Sequence, residues 1–338
     1  MRLPRNSTRR LTVGTEASTD PLDFLRCCSY LTEEVIEDYS DGMISRREAL
    51  RRLGLLGLAA AAAVPLLAAC DTATTNAGTA EPATSPAGSS PIESNPAGST
   101  PAGSTPAGPA PLPTEAITFA GADGRQLQGA WAAADQPRGA VLVVHENRGL
   151  TDHIRSVAGR LAASGYSALA VDLLSEEGGT ASFADEGEVT AALNQAPDTR
   201  FVADMKAGID ELQRRVPDAK VGAVGFCFGG GMVWTLLASG EPRLAAAAPF
   251  YGPLPEGADF TGSPNAAVLA VYGELDQRVN ASRDAATAAL EKAGLTHQIS
   301  TFPGADHAFF NDTGQRYNAT AAAAAYQQLT DWFGSHLG

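Results

Sequence analysis

Between residues 140 and 333, short β-branched apolar runs alternate with stretches whose apolar residues recur at helical spacing. Strands are predicted over Ala140–His145, Tyr166–Leu173, Val221–Phe226, Leu244–Tyr251, Ala267–Tyr272 and His297–Phe302. Helices are predicted over Ile154–Ser164, Phe201–Arg215, Met232–Ser239, Ala281–Ala293 and Ala319–Phe333. Most of the strand runs are largely apolar rather than alternating, as in sheets covered on both faces. Such a chain is constrained to an α/β fold, a mostly parallel sheet flanked by helices. Upstream, Ala116–Ala132 holds two short runs about Asp123-Gly124 and reads as an antiparallel hairpin on the sheet edge. Residues 114–338 are long enough for a domain with one core.

The first third of the chain is organised differently. Ser45-Arg46-Arg47 opens an arginine-rich segment, followed by a 17-residue uncharged run from Leu53 to Ala69. That run is short for a bilayer span and suits the apolar region of an export signal. The paired arginines resemble the twin-arginine signal, although Ala49 stands where an aromatic residue is usual. Leu67-Ala68-Ala69-Cys70 resembles the bacterial lipoprotein box, which makes Cys70 the expected lipidation site and the mature N-terminus. Residues 1–44 form a leader expected to be disordered, and residues 45–70 the export signal with its lipobox. Translation from Met43 instead would leave a signal of 27 residues. Residues 71–113 are mostly Ala, Gly, Ser, Thr and Pro, with Pro-Ala-Gly recurring at 96, 101 and 106. With Ile92 and Leu112 its only large aliphatic side chains, this stretch is expected to be a tether that spans on the order of 35 Å as a flexible coil. The expected location is therefore extracytoplasmic, lipid-anchored to a bacterial cell envelope.

The net charge of −14, from 38 acidic and 24 basic residues, repels phosphate backbones and argues against nucleic-acid binding. Four cysteines exclude a disulfide scaffold, and five histidines leave little for a multi-histidine metal site. No metal or other cofactor is expected, and the protein is expected to be a monomer.

In open α/β sheets chemistry sits at the carboxyl ends of the strands. After the third long strand comes Gly225-Phe226-Cys227-Phe228-Gly229-Gly230, leading into a helix. This is a nucleophile-elbow pattern with cysteine as nucleophile. The helix N-terminus offers unpaired N–H groups that favour a thiolate and an oxyanion. Asp276 follows the fifth strand and His307 the sixth, so the order is nucleophile, acid, histidine, as in the α/β-hydrolase sheet. His307 is the expected base and Asp276 its orienting acid, with Glu274 and Asp306 as competing acids. The first long strand ends His145-Glu146-Asn147-Arg148-Gly149. Gly149 at the fourth position beyond His145 breaks a zinc-protease helix pattern. This loop is instead expected to bring the backbone N–H of Asn147 beside that of Phe228 as an oxyanion hole, with Glu146 near Cys227. Arg148, Tyr251 and Phe310 are candidates for the substrate pocket, whereas Trp234 is expected in the core.

HENRGL at 145–150, GFCFGGGM at 225–232, PFYG at 249–252 and ADHAFFNDT at 305–313 together resemble the dienelactone hydrolase family. The similarity runs through residues 114–338. The resemblance implies a Cys-Asp-His triad of Cys227, Asp276 and His307, with Glu146 pairing with the resting thiol. It also implies carboxylate-clamping arginines, one of them four residues after the histidine. Here that position is Asn311, the nearest later arginine is Arg316, and residues 182–200 are acidic until Arg200. The expected activity is hydrolysis of small esters or lactones through a thioester, with the specific dienelactone left open. The competing expectation is a catalytically silent envelope module that binds a ligand or senses oxidants at Cys227.

Overall fold

The computed structural model describes residues 30–59, 61–67 and 106–338. Eight strands form one sheet: β1 (Glu115–Ala120), β2 (Gln126–Ala132), β3 (Gly139–Val144), β4 (Tyr166–Asp172), β5 (Val221–Phe226), β6 (Leu244–Phe250), β7 (Ala267–Gly273) and β8 (His297–Phe302). Their order is β1-β2-β4-β3-β5-β6-β7-β8. β1 and β2 are antiparallel to each other, β2 is antiparallel to β4, and every later pairing is parallel. The hairpin therefore lies on the edge, as its Asp123-Gly124 turn predicts, with both turn residues at positive φ. Strands β3, β4, β5 and β7 are buried along their whole length, because helices cover both faces.

In chain order the helices are α1 (Tyr30–Ser40), α2 (Arg46–Leu55), α3 (Asp152–Ala163), α4 (Glu186–Gln195), α5 (Asp198–Arg215), α6 (Phe228–Ala238), α7 (Gln277–Asn280), α8 (Arg283–Ala293) and α9 (Ala319–His336). Caps set several of their starts. Thr151 accepts from Ile154 N–H at the head of α3, and Asp185 accepts from the Gly187 and Glu188 N–H groups at the head of α4. Helix α4 falls within the stretch read in sequence only as acidic. Its sparse apolar residues carry little helical periodicity, and the Asp185 cap was the available signal.

The described part of the leader, residues 30–44, differs from the expectation of disorder. Residues 30–40 form α1, and Ser45 caps α2 by accepting from Glu48 N–H at 3.2 Å, three residues on. Val35 of α1 packs with Ala49 and Leu53 of α2 and with Ala63 and Leu67 in a small apolar cluster. Each helix alone is short for stability in water, so tertiary contact is what orders it. Among the described residues no helix is long and apolar enough to cross a membrane. Cys70 and the tether up to residue 105 lie outside the described residues.

Backbone crowding makes the β5–α6 turn intolerant of side chains. A Cβ on Gly225 would lie 2.1 Å from the Gly229 carbonyl oxygen, and one on Gly229 would lie 2.4 Å from the Val144 oxygen. Gly225→Ala should therefore cost about 1–3 kcal/mol. In a domain of this size each kcal/mol lowers Tm by about 2–4 °C, which thermal unfolding monitored by circular dichroism would read.

Candidate active site

Cys227 sits between the last residue of β5 and the first of α6, with φ 55 and ψ −118. A non-glycine residue there is strained, and the surrounding backbone holds it: Cys227 N–H donates to the Phe250 carbonyl at 3.1 Å. The turn aims the thiol out of the sheet edge. Phe228 follows as the first helical residue, where an N–H has no intrahelical acceptor.

Asp276 and His307 come to the same edge from the ends of β7 and β8. Asp276 uses its two oxygens differently. Oδ1 accepts from Val279 N–H at 3.0 Å and caps α7, while Oδ2 receives His307 Nδ1 at 2.7 Å. Both side chains are fully buried. With Nδ1 committed to the carboxylate, Nε2 faces the thiol. Burial raises the Asp276 pKa, but the bond to His307 and its charge outweigh this and hold the carboxyl below its ordinary value. The competing acids are elsewhere engaged: Glu274 accepts from Gly304 N–H, and Asp306 accepts from the His307 backbone N–H.

A small cavity of about 40 Å³ at this mouth is lined by Cys227, His307, Glu146, Asn147, Arg148 and Arg316, among others. Glu146 is buried, and Asn311 Nδ2 donates to its Oε2 at 2.6 Å; its Oε1 has no partner among the described residues. His145 is structural. It accepts from Leu173 N–H at Nε2 and holds the Glu146 carbonyl at Nδ1, which fixes the loop that carries Glu146 and Asn147. Arg148 lies 3.5 Å from Glu186 at the rim.

Tyr251, at φ 36, places its ring edge-on to His307 with centroids 5.2 Å apart. Phe310 departs from the pocket expectation. It is fully buried, stacked on Phe226 at 5.2 Å and against Phe250 at 5.5 Å, because the turn after His307 directs it back into the core. Trp234 stacks on Phe260 in the core, as expected.

The carboxylate against the thiol is not Glu146 but Glu34 of α1, with both oxygens 3.3 Å from Sγ. Tyr30 places its hydroxyl 3.4 Å from both Cys227 Sγ and His307 Nε2. The ligand atoms of Glu34, Cys227 and His307 all lie within 4.8 Å of one another, a mixed set that could hold a metal ion. Sequence reasoning missed Tyr30 and Glu34 because nothing local ties a leader helix to a site nearly 200 residues away. The available signal was the Tyr30, Glu34, Asp38 spacing of one helical face.

Beside the mouth a larger cavity of about 320 Å³ is lined by Leu193, Phe228, Met232, Pro253 and Leu254, with Tyr30 and Leu31 forming one wall. Burial first, and then the Glu34 carboxylate, push the Cys227 thiol up to about 11. The neutral thiol therefore dominates across the neutral range, and the thiolate gains only as pH climbs toward that value. In the full chain, alkylation of the Cys227 peptide should still be rising roughly tenfold per pH unit above pH 9, where an ordinary thiol has levelled off. Mass spectrometry of that peptide over a pH series would measure it.

The dienelactone hydrolase family model matches residues 127–337. A protein of Escherichia coli O157:H7, provisionally named carboxymethylenebutenolidase, is 33% identical over 217 residues, covering 61% of this chain and 80% of that protein. A Klebsiella pneumoniae structure provisionally titled dienelactone hydrolase superposes with a TM-score of 0.58 at 29% identity, covering 67% of this chain and 100% of the other. A dienelactone hydrolase-like promiscuous phosphotriesterase from metagenomic libraries gives a TM-score of 0.58 at 28% identity, with the same coverage. With its mixed sheet, flanking helices and a site at the carboxyl edge, the chain belongs to the dienelactone hydrolase family and is an α/β-hydrolase enzyme.

Proposed function

We propose that the enzyme cleaves small esters or lactones through Cys227, with His307 and Asp276 completing a triad. The observation that carries this reading is the strained Cys227 turn beside a histidine whose other nitrogen is locked to a buried carboxylate at 2.7 Å. His307 Nε2 takes the thiol proton as Sγ bonds to the acyl carbon. The resulting oxyanion is met by the N–H groups of Phe228 and Asn147. The C–O bond then breaks, and His307 returns the proton to the leaving alkoxide, which leaves a thioester. Water attacks that thioester and gives a proton to His307; the C–S bond breaks, the acid departs, and Sγ recovers its proton. Asp276 holds the imidazole in the tautomer these transfers need.

In the full chain Glu34 stands against the thiol; Glu146, with one oxygen held by Asn311 and the other unengaged, is the group proposed to take that place when α1 is away from the mouth. The larger cavity, lined mainly by apolar side chains, accommodates the apolar part of the substrate, with Arg148 at the neighbouring mouth; Tyr251, fully buried against His307, lines neither cavity and departs from the pocket expectation.

Turnover of aryl esters and simple lactones by the full chain beside Cys227→Ala tests the mechanism. A fall of about 10³-fold or more from the turnover of the unsubstituted chain is expected, and equal, measurable turnover in the two proteins would overturn the reading.

The proposal extends to location: export under the arginine-rich signal, lipid attachment at Cys70, and a tether over residues 71–105 that holds the enzyme off the envelope membrane; the end of the stretch expected as tether instead packs on α3, where Arg160 donates to the Ala107 carbonyl and Leu112 N–H to that of Gly159. What supports this is the order of arginines, apolar run, lipobox and tether in the sequence. Metabolic labelling with a radioactive fatty acid in a bacterial host should mark the protein and be lost in Cys70→Ala.

A further inference from the structure

We infer that helix α1 is a built-in inhibitor that docks into the mouth of the active site and leaves it when the leader is removed. This inference rests on the reading of Cys227 as the nucleophile and of Cys70 as the processing point. Residues 30, 34 and 38 lie on one helical face. All three point into the hydrolase domain. The Tyr30 hydroxyl reaches both Cys227 Sγ and His307 Nε2 at 3.4 Å, and Glu34 reaches Sγ at 3.3 Å through both oxygens. A reacting carbonyl must approach the nucleophile to about 3–3.5 Å. The leader's own atoms already fill that shell, so substrate and helix exclude each other.

Charge holds the helix in place. Arg278 donates to Glu37 at 3.0 Å, and its guanidinium lies 4.3 Å over the Tyr30 ring. Arg316 donates to Asp38 at 3.1 Å and also to Asp41. Arg278 and Arg316 both belong to the hydrolase domain, so an acidic helix meets a basic rim. Apolar contact adds to this: Leu31, only 4% exposed, joins the main core beside the 320 Å³ cavity. Helix α2 clamps the assembly from outside, with Arg51 on Asp185 at 2.9 Å and Arg52 near Glu186 at 3.8 Å. Arg46 and Arg47, the pair resembling an export signal, stay exposed.

The docked helix also explains the state of the thiol. It supplies the nearest carboxylate and excludes water from Sγ, and both effects keep the thiol protonated. Residues 30–67 all precede Cys70. A cut there detaches α1 and α2 together and leaves the triad, Arg278 and Arg316 on the mature chain.

The test uses the full chain and two sets of leader substitutions. Glu37→Lys/Asp38→Lys/Asp41→Lys turns the ion pairs with Arg278 and Arg316 into repulsions without altering any residue that touches Sγ or Nε2. Tyr30→Ala/Glu34→Ala removes the atoms that fill the mouth. Two readouts are followed at fixed pH: iodoacetamide alkylation of the Cys227 peptide, and ester or lactone turnover. Both sets should raise alkylation about tenfold or more, with turnover rising in parallel. Wild-type alkylation as fast as that of both variant sets would overturn the docked inhibitor. Faster alkylation without turnover on any ester or lactone would leave the inhibitor standing and count against the hydrolytic reading instead.

Discussion

The close approach of bare backbone at the end of β5 underlies everything at the site. Gly225 and Gly229 meet each other and the end of β3 at distances that leave no space for a Cβ, and Gly230 does the same against β6. Only with this clearance can α6 start directly at the sheet edge and force Cys227 into its positive φ. That geometry places the Cys227 thiol and a helix N-terminus at one point. The dipole and free N–H groups of the helix then face whatever charge develops beside the sulfur.

Around that point the site is assembled by groups that each serve two purposes. Asp276 caps α7 with one oxygen and orients His307 with the other, so the fold of the loop and the tautomer of the imidazole are set together. Asn311 holds Glu146 through its amide nitrogen while its oxygen receives Thr313 N–H, which ties the loop after His307 to the loop after β3. His145 pins that second loop to the end of β4. Moving any one of these disturbs both local folding and site geometry.

The electrostatics carry a further consequence. An overall acidic protein keeps two arginines, Arg278 and Arg316, at the rim of its active site, and in the full chain both are engaged by acidic residues of α1. Ion pairs this close to the surface are individually weak. Their combination with the buried Leu31 and the Tyr30 and Glu34 contacts gives an attachment that covalent separation can reverse. Firm docking while tethered and release once cut are the properties such a segment requires.

The parallel sheet, its hairpin edge, the elbow at Cys227 and the chain order of Asp276 and His307 were legible in the sequence, because each rests on local pattern: hydrophobic period, turn residues, and glycines flanking a cysteine. Asp276 was separable from Glu274 and Asp306 only as a preference, and its bond to His307 was settled by where two loops meet. Phe310 looked like a pocket residue from its position after the histidine, but the direction of one turn sends it into the core. The leader was the largest gap. Its helical face could be counted along the chain, but its partner could not, since charges on α1 meet arginines more than 200 residues away. Sequence alone determined which groups reach the sheet edge, because short-range sterics and periodicity dictate that. Only the tertiary structure decided what faces them there, because long-range charge and shape complementarity leave no mark in local spacing.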